Sequence, residues 1–159
     1  MNVIAEPLPH PRVAALLAAP TPAERRAALV ALEQESRKHP QVDPPLRHHF
    51  APGLYAREIF MHAGLVVVGK IHWHAHVNTV SKGACIVVTE DGLQRLEAGD
   101  TWVSKAGTKR AVFVEQDVLW TTVHANPDNC RDLGVLEARL IAPSFDDLFI
   151  DAAPQGKLQ

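Results

Sequence analysis

Between Gly64 and Arg110 two glycine-framed segments follow one another with fixed internal spacing. The first reads Gly64-LVVVG-Lys70-I-His72-W-His74-A-His76-VNTVSK-Gly83, and the second Gly99-DTWVS-Lys105-A-Gly107-TK-Arg110-AVF-Val114. Glycines at the ends of short Val- and Ile-rich runs mark tight turns, so each frame reads as strands closed by turns rather than as helix. Gly107 is expected to take a positive φ in the hairpin between Lys105 and Arg110. Inside the first frame three histidines, His72, His74 and His76, fall within five residues.

These frames resemble the two motifs of the cupin superfamily, G-x5-H-x-H-x3,4-E-x6-G and G-x5-P-x-G-x2-H-x3-N. In that family the named positions carry two histidines, a glutamate and a third histidine converging on one metal in a small β-barrel. Here the corresponding residues are Lys70, His72, His76 and Arg110, so one position in four keeps the family's ligand type. The chain is similar to small cupin-like proteins of bacteria and their phages with an altered metal-ligand set. The resemblance implies an all-β double-stranded β-helix, or jelly-roll barrel, a divalent transition metal (zinc, iron, nickel or manganese), and a homodimer.

The rest of the chain is organised around that barrel. Residues 1–45 are rich in Ala and Pro without β-like alternation, and read as a helical N-terminal arm and linker. Thr21-Pro22-Ala23-Glu24 is a capping box with proline at the first helical position, predicting a helix from about Pro22 to Lys38. A shorter helical turn is expected over Val13–Ala18. Residues 46–125 are the barrel, with strands expected near 55–61, 65–72, 76–81, 84–89, 93–96, 101–104, 109–115 and 118–124. Residues 126–159 form the C-terminal tail, with a helix near Asn129–Leu140 and a frayed end over DAAPQGKLQ.

On an extended strand alternate residues share a face, so Lys70, His72, His74 and His76 point one way. Val66 and Val68 precede them on that face, which is therefore read as the barrel interior, with Trp73 and Val77 packing on the opposite one. Residues at i and i+4 lie roughly 13 Å apart on a straight strand and cannot share an ion. The resemblance implies a turn that brings His72 and His76 onto one centre and swings His74 to the rim. Two imidazoles rarely hold a metal alone. Arg110 keeps its proton and cannot ligate. His124, on one face with Trp120 and Thr122, is the better third ligand, with His74 as the other; His124 can equally be a strand-end residue capping the loop before Asn126-Pro127.

Lys70 and Arg110, if turned inward, need partners. Either they hold a small anionic molecule, an organic acid or sugar derivative, beside a histidine base, or Glu58 or Glu115 neutralises them. Tyr55, Arg57 and Glu58 are unranked candidates for the barrel mouth. The sequence thus points to a metal-binding cupin acting on or binding a small anion. The alternative is a non-enzymatic ligand-binding or assembly module with a structural metal or none.

Other classes are disfavoured. There is no P-loop, Gly-x-Gly-x-x-Gly, HExxH or Cys-x-x-Cys, and Ser81 and Ser104 lack a nucleophile-elbow context. A net charge of −2 gives no case for nucleic acid or an anionic membrane. No apolar run approaches the roughly 20 residues of a bilayer span. MNVIAEPLPHPRV lacks the order of a signal peptide. The two cysteines, Cys85 and Cys130, make no disulfide framework. A cytoplasmic protein is expected.

Overall fold

The computed structural model describes residues 1–5, 11–145 and 147–150. The frayed end expected over residues 151–159 lies outside them. The elements run β1 (Asn2–Ala5), α1 (Pro11–Ala18), α2 (Pro22–Ser36), β2 (Leu46–Ala51), β3 (Gly53–Met61), β4 (Leu65–Val68), β5 (Ile71–His72) and β6 (His76–Lys82). They continue with β7 (Ala84–Thr89), β8 (Gly92–Glu97), β9 (Thr101–Ser104), β10 (Arg110–Val114), β11 (Val118–Asn126), α3 (Leu133–Leu140), β12 (Ile141–Ala142) and α4 (Asp147–Ile150).

Two five-stranded antiparallel sheets, ordered β1-β4-β10-β7-β8 and β2-β3-β11-β6-β9, face each other as a double-stranded β-helix. The alternation of β11 shows how one strand serves it. Val118, Trp120, Thr122, His124 and Asn126 are buried, while the residues between them are half-buried or exposed. Inward residues of both sheets, among them Ile59, Val67, Val112 and Trp120, form the barrel core.

Along β4 and β10 the first sheet is buried on both sides. Leu65 and Val67 of β4 enter the barrel core, whereas Val66 and Val68 join Val13, Leu16, Leu29 and Leu32 in a second core under the helices. This corrects the expected orientation: the face carrying Val66 and Val68 looks at α1 and α2. A strand apolar on both faces carries no alternation to tell inside from outside. Val77 also differs from expectation, being 42 % exposed on the bare outer face of the second sheet, and Trp73 is half-buried.

The arm is stitched to the barrel. β1 adds an edge strand beside β4, in register from Asn2 opposite Val68 to Ala5 opposite Leu65, where no strand was expected. Four residues are too few to display a period. α2 starts as its sequence dictates: Glu24 donates its backbone N–H to Thr21 Oγ1, and the Thr21 N–H donates back to the Glu24 carboxylate. Leu16, Leu29 and Leu32 are all but fully buried, each contributing about 1.5–3 kcal/mol.

At Gly83, which closes the first frame, φ is +81° and an added Cβ would lie 2.1 Å from the Asp117 carbonyl oxygen. Only glycine fits that turn.

Candidate functional site

β4 and β5 do not form one strand. The ladder breaks at Gly69 and Lys70, and the chain turns again through residues 73–75 before β6. That bend carries His72 and His76 inward together and leaves His74 exposed. His124 reaches them from β11. The ring centroids of His72 and His76 are 4.1 Å apart, those of His72 and His124 5.1 Å, and those of His76 and His124 4.9 Å. Imidazoles sharing one ion tetrahedrally at 2.0–2.1 Å have centroids roughly 5 Å apart, so His124 stands at that spacing from both others while His72 and His76 are closer together.

All three rings are buried. Burial, then the nearby histidines and Arg110 and Arg57, lowers His72 to about 2. Burial is also the main cause that lowers His76 and His124 to about 4. Each is therefore neutral near pH 7, as a metal ligand must be. His76 Nδ1–H donates to the His74 carbonyl at 3.1 Å, which leaves its Nε2 lone pair toward the cavity. His72 Nδ1 is buried with no hydrogen-bond partner, an unmet demand that a cation would meet. The donor set thus suits a transition metal. The rings are gathered without the aim of a shared centre: among the described residues no three His, Cys, Asp or Glu side chains already form a group that could hold an ion.

Arg110 enters from the start of β10. Gly69 makes room for its stem, since a Cβ there would lie 3.2 Å from Arg110 Cγ. The guanidinium donates to Ser104 Oγ at 2.8 Å, Asn78 Oδ1 at 3.4 Å and His76 Nε2 at 3.4 Å, and lies 5.5 Å over the Trp120 ring. Every acceptor is neutral. Burial and Arg57 lower the Arg110 pKa to about 10, so it remains charged. Asn78, fully buried, ties this network together by also accepting from Trp120 Nε1 at 3.0 Å.

The other cations divide. Lys70 pairs with Glu137 of α3, while Glu58 binds Arg47 at 2.5 Å and Glu115 binds Arg95 at 2.8 Å. Neither carboxylate named from the sequence serves Lys70 or Arg110. Arg57 of β3 is half-buried opposite Thr122 and lines the same cavity as Arg110 and His72. Among the described residues its side chain has no hydrogen bond or ion pair. Arg57, Asn78 and Ser104 are the residues sequence reasoning left unranked or missed. Asn78 was findable, being two residues after His76 on the same face; Ser104 shows itself only through its pairing with His76.

The C-terminal tail closes the histidine end. Ile141 pairs with His72, the Trp73 N–H donates to the Leu140 carbonyl at 3.0 Å, and Leu133, Glu137 and Leu140 line the opening to His72 and His124. Tyr55 stacks on His124 at 6.2 Å and shares a 2.8 Å hydrogen bond with His48.

Two glycine frames, two facing antiparallel sheets and inward histidines from β5, β6 and β11 define the cupin fold, and this chain has it. No protein-family model matches the sequence, and neither does any curated protein. Among solved structures the chain is similar to a mutant salicylate 1,2-dioxygenase from Pseudoaminobacter salicylatoxidans, at 18% identity and TM-score 0.50 over 72% of this chain and 35% of that one. It is also similar to KdgF from Halomonas sp., at 25% identity and TM-score 0.46 over 60% and 91% of the two chains. A cupin-2 domain containing protein from Shewanella frigidimarina gives 12% identity and TM-score 0.43 over 60% and 92%. These likenesses are likenesses of fold. No helix among the described residues is long and apolar enough to cross a membrane.

Proposed function

We propose that this protein is a metal-binding cupin that acts on or binds a small anionic molecule. The observation that carries the reading is the juxtaposition of three buried, neutral histidines with two arginines, Arg57 and Arg110, neither of which is hydrogen-bonded or ion-paired to a carboxylate among the described residues, Glu137 acting on Arg57 only through space. His72, His76 and His124 would hold a divalent transition metal, zinc, iron, nickel or manganese. Such an ion would act as a Lewis acid on a bound oxygen. Arg57 and Arg110 would neutralise and orient the anion, whereas Lys70, expected beside them, stands at the rim with its charge met by Glu137. His74, exposed, is outside this set. The lowered pKa values of His72 and His76 suit ligands better than general bases, because a base working near pH 7 needs a pKa near it.

The second reading, a non-enzymatic binding or assembly module, is favoured by the Arg110 contact on His76, which sits on a lone pair a metal would use. A structural metal would be closed off by protein ligands, whereas a catalytic one keeps a position open.

Elemental analysis of untagged protein purified without chelator tests the reading. Near one transition metal per chain, lost in His72→Ala with the fold intact, supports it. No metal after incubation with zinc, iron, nickel or manganese overturns its metal half. Loss of folding together with metal favours the structural alternative.

We also propose a homodimer formed through the outer face of the second sheet, where the paired Val77 and Val103 are 42 % and 64 % exposed. Sedimentation of the wild type against Val103→Lys tests it. A cytoplasmic home suits two free thiols.

A further inference from the structure

Resting on the anion reading above, we infer that the ligand is a carboxylate carried on a compact apolar body, and that Arg57 is the residue that selects it. The cavity that Arg57, Arg110 and His72 share has walls supplied by Ile59, Met61, Val67, Val112 and Trp120. Its volume is about 60 Å3, which is what limits the body to a compact one. Arg57, Arg110, Lys70, His72 and Thr122 supply its polar lining.

The two arginines are not equivalent. Arg110 has both terminal nitrogens committed to Asn78, Ser104 and His76, so it offers charge more than directed donors. Arg57 keeps its whole fork uncommitted among the described residues, and a planar fork matches the two oxygens of a carboxylate. Thr122, facing it across the ladder, donates its hydroxyl to the Arg57 carbonyl at 3.3 Å and so helps fix the strand that presents the fork.

The apolar walls set the rest of the ligand. A sugar body brings several hydroxyls, more than Thr122 and Lys70 can serve, and those turned to Ile59, Met61, Val67 or Val112 would leave water and find no partner. A flat or branched apolar body loses nothing there and gains contact with the Trp120 ring. The site therefore discriminates by what surrounds the carboxylate as much as by the carboxylate itself.

The test is calorimetric titration of the full chain with three probes: benzoate, glucuronate and glucose 1-phosphate. Expected is binding of benzoate at least tenfold tighter than of either sugar, and a loss of at least tenfold for benzoate in Arg57→Met. Arg57→Lys, which keeps the charge and loses the fork, should fall between them. Thermal melts check that the variants are folded, and the wild-type probe series stands without them. Glucuronate or glucose 1-phosphate binding as tightly as benzoate overturns this inference and leaves the anion reading standing. An Arg57→Met protein that binds benzoate unchanged overturns the role of Arg57. Failure of all three probes to bind overturns both this inference and the anion reading.

Discussion

Nη2 of Arg110 donates to Nε2 of His76 across 3.4 Å, on the ring whose other nitrogen is already committed to the His74 carbonyl. The one lone pair His76 can offer inward is therefore contested between a guanidinium and any metal. Cation repulsion acts in the same direction, because Arg110 is buried and, among the described residues, its partners are the neutral Asn78, His76 and Ser104.

Removing that competitor should strengthen metal binding. Arg110→Met is expected to bind zinc or cobalt at least tenfold more tightly than wild type, read by competition with a chromophoric chelator. The melting temperature should change little, since a buried charge without a carboxylate partner is exchanged for an apolar side chain of similar length. Equal or weaker metal affinity in the variant would show that Arg110 and the metal do not compete.

Acid should destabilise the fold earlier than its carboxylates alone would cause. His72 lies at about 2 and His76 and His124 at about 4 in the folded chain, against 6.5 for an unperturbed histidine. Below pH 6.5 the unfolded chain takes up protons that the folded chain refuses, so stability falls as pH drops from about 6.5 toward about 4; above 6.5 these groups leave it flat. Each histidine contributes a slope on the order of 1.4 kcal/mol per pH unit. Urea unfolding between pH 8 and 4.5 checks this, and His76→Gln should flatten the slope. A profile flat from pH 7 to 5 would mean that the folded site accepts protons.

Asn78→Ala should cost about 3 kcal/mol by urea unfolding, because it leaves the buried Trp120 Nε1 and Arg110 Nη1 without their acceptor. Its effect on the anion should exceed its effect on the fold, since Asn78 also holds the guanidinium in place. A loss below about 1 kcal/mol would show that the buried donors find other partners.

Leu29→Ala should cost about 3 kcal/mol. Leu29 is fully buried between α2 and the first sheet, with Val66 and Val68 beneath the same layer. If the helices were a loose appendage, chemical denaturation would show a separate early transition rather than one shifted midpoint.

The strands were legible where period two and glycine turns coincide, and β7 lies at Ala84–Thr89 as its apolar run indicates. Legibility failed where both faces are buried, as at Val66 and Val68, and where a strand is too short or too polar to show a pattern, as at Asn2–Ala5 and Leu46–Ala51. The site divides along similar lines. His72 and His76 were visible because four residues carry the family spacing. The partner of Lys70 was not, because Glu137 lies 67 residues away and meets it only after α3 folds back. Arg57 was one of several polar residues on its strand until its pairing with Thr122 showed which way it faces.

The barrel ladder ends at Asn126, yet Ile141 is the residue paired in register with His72, and among the described residues β5 has no other strand beside it. Fold and site thus have different borders along the gene. A fragment ending at Asn126 would keep both sheets and lose the splint on one of its three imidazoles. An exchange of tails between two such barrels would transplant part of the pocket, so the segment after the last long strand is where variation can retune the site while leaving the scaffold untouched.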